Sequence, residues 1–156
     1  MAILVSGGAG YIGSHTCIEL LNAGYDVVVA DNYYNASPVV LDRVKQITGK
    51  DFRFYNADMT KHEDVEKIFS ECPDITAVIQ FAAYKAVGES VSKPIEYYSN
   101  TLNCTLVILD VMRHHGCHNF VFSSSATVSG DPASVPITED FPVGATTNPY
   151  GTTKAM

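Results

Sequence analysis

Short apolar runs alternate along the chain with stretches of helical periodicity. Ala2-Ile3-Leu4-Val5 is the first such run; it breaks at the glycine-rich stretch Gly7 to Gly13, after which Ser14 to Ala23 carries helical spacing. Tyr25 to Ala30 is nearly all apolar, as a parallel strand covered on both faces requires, and it ends at Asp31. Ser37-Pro38 reads as an N-cap followed by a first-turn proline, opening a helix over Val39 to Ile47 that Gly49 stops. Phe52 to Tyr55 predicts a third strand, and Thr60 with Glu63 a capping box that starts a helix running to about Glu71. Ile75 to Phe81 predicts a fourth strand. Pro94 opens a long helix, Ile95 to about His114, with Tyr97, Thr101, Cys104, Ile108 and Val111 along one side. Asn119 to Phe122 is the fifth strand, and Val128 to Asn148, with three prolines and two glycines, predicts a long loop. The alternation predicts an α/β fold, a doubly wound parallel sheet with right-handed crossovers and helices on both faces.

The strand, glycine turn and helix at the start carry candidate chemistry. Glycines at 7, 10 and 13 suit a tight turn, a close backbone approach and close helix–strand packing. A helix opening there aims unpaired N–H groups and a positive dipole end at an anion, with pyrophosphate the natural guest. The fold expected is thus Rossmann-like. Asp31 stands 18 residues beyond Gly13, near the spacing of the acid that bonds the adenosine ribose in such folds. It repels a 2′-phosphate, and Asn32 to Asn35 supply no Arg or Lys to attract one, which favours NAD over NADP. Asp58 and Met59 follow the third strand at its carboxyl end, where open α/β sheets present ligand-binding residues; Asp58 either receives the adenine amino group or shapes the turn. Asn100 and Asn103 interrupt the long helix, either solvated or turned toward the cofactor.

Composition narrows the function classes. The 156 residues are 46% hydrophobic and 17% charged, those of one globular domain. The net charge is −7 and the ten Lys and Arg are scattered, which argues against nucleic acid and anionic membrane as partners. No apolar stretch approaches the ~18 residues of a membrane span, and the protein is read as cytoplasmic. Cys17, Cys72, Cys104 and Cys117 lack metal-ligand spacing and read as reduced, buried hydrophobes. His114, His115 and His118 sit at a helix end that favours cations, and no metal is expected.

Near the end of the chain, Tyr150 and Lys154 are four residues apart, on one face if the segment is helical. An adjacent ammonium stabilises a phenolate, which brings a tyrosine, whose phenol ordinarily titrates at about pH 10, nearer to use as a base. Hydroxyls of Ser123 to Thr127, at the end of the fifth strand, are candidates to share its proton.

Together these residues resemble the extended short-chain dehydrogenase/reductases. The resemblance rests on the glycines at 7, 10 and 13, on Asp31-Asn32 and on Phe81 to Ser90 with its Lys85-Ala86-Val87-Gly88-Glu89-Ser90 stretch. It also includes Ser123 to Val128 and the Tyr150/Lys154 pair. Within that family it points to the nucleotide-sugar epimerases, and implies interconversion of UDP-galactose and UDP-glucose. By this resemblance Gly7, Gly10, Tyr11, Ile12, Gly13, Asp31, Asn32, Asn35, Ser37, Asp58 and Met59 would hold NAD. Phe81, Ala82, Ala83 and Lys85 would lie near its nicotinamide half, and Asn100 would support the site through hydrogen bonds. Tyr150 would take the proton of the sugar 4-hydroxyl while hydride passes from C4 to NAD⁺. Lys154 would hold the nicotinamide ribose and depress the Tyr150 pKa, and Ser125 would bond the reacting oxygen. The related dehydratases carry an Asp-Glu after the strand-five Ser or Thr; Ala126-Thr127 here disfavours elimination. The chain departs from the family pattern at Gln80, usually His, and at Ser129, where an aromatic is usual. The implied organisation is an NAD-binding domain over residues 1–156, incomplete at its C-terminal end and without the substrate domain that grips the UDP-sugar. Little turnover is therefore expected of it alone. The resemblance also implies a homodimer through the 94–114 helix and the helix begun at Tyr150, which these residues alone do not complete. The alternatives are a non-catalytic NAD-binding module, another nucleotide-sugar epimerase, and an interaction domain using an exposed sheet edge.

Overall fold

The computed structural model describes residues 1–156. Its strands are β1 (Ala2–Ser6), β2 (Asp26–Asp31), β3 (Arg53–Asn56), β4 (Ile75–Gln80) and β5 (Asn119–Phe122). Its helices are α1 (Tyr11–Asn22), α2 (Val39–Thr48), α3 (His62–Glu71), α4 (Val87–Ser92), α5 (Pro94–His114) and α6 (Pro149–Ala155), and Ala126–Ser129 forms a 3₁₀ turn. The chain forms two compact units, Met1–Ala82 with Cys104–Ser123, and Ala83–Asn103 with Ser124–Met156.

The first unit is built on a parallel sheet of order β3-β2-β1-β4-β5. Strand side chains alternate between faces, and both faces are apolar here. Leu4, Val28, Ala30 and Val78 pack on one side with Val65, Ile68 and Phe69 of α3 and with Cys104, Ile108, Val111 and Met112 of α5. Val5, Val27 and Val29 pack on the other with Cys17 and Leu21 of α1 and with Leu41 and Val44 of α2. The continuous apolar runs are therefore required by two covered faces, as expected. Gly49 ends α2 in the left-handed region at φ 64°, its N–H donating to Lys45 O.

Two helix starts differ from expectation. Ser37 does not cap α2 with its side chain; Pro38 is already helical, and the carbonyls of Ser37 and Pro38 close the first turn onto the N–H groups of Val40 and Leu41. The Thr60/Glu63 capping box does not form. Asp58 competes for Thr60, its Oδ1 accepting both the Thr60 N–H (3.0 Å) and hydroxyl (2.7 Å), and α3 begins two residues later at His62 with Lys61 extended before it. A short acceptor two residues away wins because the turn it closes is local.

The second unit contains α4, the start of α5, the 3₁₀ turn and α6. The helix α4 was not expected from the pattern. Tyr97 is its buried anchor, donating its hydroxyl to Glu89 Oε2 (2.8 Å) and accepting from the Ala86 N–H (3.1 Å). Of the loop expected over Val128 to Asn148, the first two residues belong to the 3₁₀ turn; residues 130–148 contain no helix or strand, and the Gly144 N–H returns to Val128 O.

Candidate functional site

In the first unit, β1 runs into the glycine turn and α1. Gly7 has φ 75°, and a Cβ there would lie 2.6 Å from Ala82 N; a Cβ on Gly13 would lie 2.2 Å from Gly7 O. Only glycine allows this turn to close beneath the helix. Gly10 is the N-cap of α1 and has no side chain to offer, and the first turn carries no acid. The first-turn N–H groups, which lack i−4 partners in any helix, are thus left without a side-chain acceptor, and Tyr11 and Ile12 are exposed around them. Donors and dipole both suit an anion.

Asp31, the last residue of β2, is only 8% exposed, and both its oxygens are engaged. Oδ2 accepts from Ala9 N–H at 3.0 Å and Oδ1 from Tyr33 N–H at 2.8 Å. A carboxylate offers about four acceptor positions, so two remain for a ligand hydroxyl. Burial, and then the charges of Asp31 and Asp42, push the Tyr33 phenol above its ordinary pKa. Asn32, Asn35 and Ser37 lie exposed after β2, with Asn32 Oδ1 accepting from Tyr34 N–H at 3.0 Å. Asp58 receives no bond at Oδ2, while its N–H donates to Asp64 Oδ2 at 2.8 Å. Met59 packs in the core, which leaves its backbone for any ligand. Phe81 and Ala82 are half-buried and both donate their N–H groups to Ser6 O. Gln80 is fully buried and donates to Thr105 Oγ1 at 3.0 Å, while its Oε1 and the Ser6 hydroxyl, at paired positions of β4 and β1, have no partner.

In the second unit, Tyr150 and Lys154 lie one turn apart on α6. Asn148 caps this helix, its Oδ1 accepting from Gly151 N–H at 2.7 Å, and Pro149 occupies the first position. Lys154 is buried, at 7% exposure, which is rare for a lysine unless it is paired. The Tyr150 N–H donates to Ser90 Oγ at 3.2 Å; Ser90, fully buried, gives its own proton to Val87 O. Ser125 is half-buried, and its Oγ accepts from Thr127 N–H (3.2 Å) and Thr127 Oγ1 (2.9 Å). The Ser124 hydroxyl reaches Lys154 O at 3.5 Å. Asn100 turns inward, its Oδ1 accepting from Tyr84 N–H at 3.0 Å, while Ala83 is half-buried and Lys85 exposed. The links Ser90–Tyr150 and Thr127–Ser125 were not anticipated. An N-cap and first-turn proline at Asn148-Pro149 are a local signal for α6 that was not used above, whereas nothing local marks Ser90, 60 residues from Tyr150.

A glycine turn heading a parallel βαβ unit, with a buried acid closing it from the end of the next strand, defines a Rossmann-type dinucleotide-binding fold. The model of the NAD dependent epimerase/dehydratase family matches residues 3–156, and the chain belongs to that family. It is similar to the UDP-glucose 4-epimerases of Haemophilus influenzae (62% identical) and Bacillus subtilis (60%), in each case over all of this chain and 46% and 45% of the relative's length. Among solved structures it is similar to the UDP-glucose 4-epimerase from Bifidobacterium longum in complex with NAD⁺ and UDP. The TM-score is 0.96 and the identity 57%, over 99% of this chain and 46% of that one. The chain therefore spans less than half the length of these relatives. No helix is long and apolar enough to cross a membrane.

Proposed function

We propose that this chain is the NAD-binding part of an enzyme that interconverts UDP-galactose and UDP-glucose by oxidation and re-reduction at C4. The observation that carries the reading is α6, a side-chain-capped helix with Tyr150 and a buried Lys154 one turn apart. Similarity over the whole chain to epimerases, one of them solved with NAD⁺ and UDP, supports it. The first unit fits NAD: uncapped N–H groups at the start of α1 suit its pyrophosphate, and Asp31 suits a ribose 2′-hydroxyl and repels a 2′-phosphate. Gly7, Gly10, Tyr11, Ile12, Gly13, Asp31, Asn32, Asn35, Ser37, Asp58 and the Met59 backbone are assigned to that cofactor. Phe81, Ala82, Ala83 and Lys85 are assigned to its nicotinamide half, and Asn100 to supporting them by holding Tyr84.

Bound NAD⁺ supplies the acceptor and then the donor of one hydride, so the net redox change is zero. Tyr150 takes the proton of the sugar 4-hydroxyl and returns it to the C4 oxygen. Lys154 is assigned to holding the nicotinamide ribose. Ser125 donates a hydrogen bond to the same oxygen. Inversion requires the 4-keto sugar to turn over before hydride returns to its other face. Most of the grip on the UDP-sugar is assigned to residues outside this chain, since the relatives are about twice as long. A cytoplasmic location and a homodimer of the whole protein complete the reading.

Two measurements test it: calorimetric titration of NAD⁺ into this chain, and conversion of UDP-galactose to UDP-glucose by the whole protein. Binding with conversion is expected. Binding without conversion leaves a non-catalytic NAD module, and absence of binding refutes the cofactor assignment.

A further inference from the structure

We propose that Thr127 is a positioning residue that makes Ser125 a one-way hydrogen-bond donor and sets its spacing from the helix of Tyr150. The proposal rests on the function proposed above. A serine hydroxyl has one proton and two lone pairs. Thr127 addresses Ser125 Oγ twice, through its N–H at 3.2 Å and its Oγ1 at 2.9 Å. With both acceptor positions taken, the one thing Ser125 has left to give is its proton. Such a group favours an oxygen that is gaining charge, as the C4 oxygen does while Tyr150 removes its proton. Donation from Thr127 also polarises the Ser125 hydroxyl, and chained hydrogen bonds strengthen one another.

Capping alone does not account for this arrangement. The 3₁₀ turn is capped by the Thr127 N–H on Ser125 Oγ and closed by the Val128 N–H on Ser125 O at 3.1 Å. The Thr127 hydroxyl adds nothing the cap needs; it bears only on which way Ser125 can donate. The other side of Thr127 faces α6. A Cβ at Gly151 would lie 3.0 Å from Thr127 O, 3.2 Å from its Oγ1 and 3.3 Å from its Cβ, so Thr127 fills the space that a side chain next to Tyr150 would take. One residue therefore touches Ser125 by two hydrogen bonds and leaves no room for a side chain at Gly151, beside Tyr150.

The test uses Thr127→Val, which keeps the shape and the N–H cap but loses the hydroxyl, and Thr127→Ser, which restores the hydroxyl. NMR couplings across the Ser125 Cα–Cβ bond in this chain should report a single rotamer in the wild type and in Thr127→Ser, and averaging over rotamers in Thr127→Val. In the whole protein, Thr127→Val should lower kcat about tenfold with KM for the UDP-sugar little changed, the loss that one hydrogen bond to the reacting centre produces. Thr127→Ser should recover most of it. A single Ser125 rotamer in Thr127→Val overturns the proposal. So does an unchanged kcat in that variant, or equal losses in both variants, the sign of a packing role only. If the wild-type whole protein shows no conversion, the proposed function fails, and the rotamer measurement still decides whether Thr127 directs Ser125.

Discussion

Replacing Asp31 by Asn tests the proposed site and the fold at once, because the carboxylate assigned to the cofactor also closes the glycine turn. Its two oxygens accept from Ala9 N–H and Tyr33 N–H at 3.0 and 2.8 Å. An asparagine retains one acceptor and puts an NH₂ group where the other oxygen stood. Whichever way the amide turns, one of these two N–H groups then faces a donor. Ala9 is 1% exposed and has no water to turn to, so the amide oxygen is expected to stay with Ala9 and release Tyr33, which is held at φ 57°. Losing a hydrogen bond to a charged acceptor costs about 1.5–3 kcal/mol, a net figure that already includes the desolvation of the carboxylate. We expect about 2 kcal/mol, which for a chain of this size lowers Tm by roughly 4–8 °C. Amide hydrogen exchange locates the effect: protection in the turn should fall by roughly 30-fold, since each 1.4 kcal/mol is about tenfold. NAD⁺ affinity should fall in the same variant while preference against NADP⁺ weakens, because the repelling charge is gone. A Tm within about 1 °C of the wild type, with unchanged protection at Tyr33, would refute the dual role.

Three further outcomes follow from other contacts. Gly13→Ala places a Cβ 2.2 Å from Gly7 O and 2.8 Å from Gly8 Cα, backbone atoms that cannot rotate away. A loss of about 3 kcal/mol is expected in denaturant melts, and a variant as stable as the wild type would show that α1 does not sit so close to the turn. The Arg53 guanidinium, bidentate on Asp74 at 2.8 Å, holds the Asp74 carboxyl below its usual pKa. The folded pKa is depressed, so this stability is fully present above the unfolded value of about 4 and is lost as pH falls through the folded value. The pair is some 40% exposed and worth at most about 1 kcal/mol. Arg53→Gln should be less stable than the wild type at pH 7 and equal to it at low pH; a gap that persists in acid would contradict the assignment. All four cysteines are buried, and burial pushes Cys17 up to about 12, so the folded chain at pH 8 should leave its thiols unreacted with DTNB while denatured chain reacts fully.

What could be read from the sequence was whatever a residue does with neighbours a few positions away. The periodicity of the 94–114 helix identified its buried side, and Tyr97, Thr101, Cys104, Ile108 and Val111 are each at most 3% exposed. The fifth strand runs over the residues its apolar run predicted, Asn119–Phe122. Even local rules failed where two of them competed, as when Asp58 drew the Thr60 hydroxyl away from the start of α3. The links that hold the candidate site are of another kind. Asp31 reaches back 22 residues to Ala9, and Ser90 reaches forward 60 to Tyr150. Each is a side-chain oxygen meeting a backbone N–H that helix or turn geometry leaves without a partner, so any residue but proline can supply the donor and no pattern marks it. One consequence bears on cofactor choice. Because Asp31 satisfies the turn that would cradle pyrophosphate, removing its charge at this residue alone leaves Ala9 N–H or Tyr33 N–H without its acceptor. Serine at 31 would remove the charge but offer a single, shorter acceptor, so a functional switch needs a second substitution that returns an acceptor to Ala9. The acid assigned to cofactor choice is thereby held in place by the fold itself.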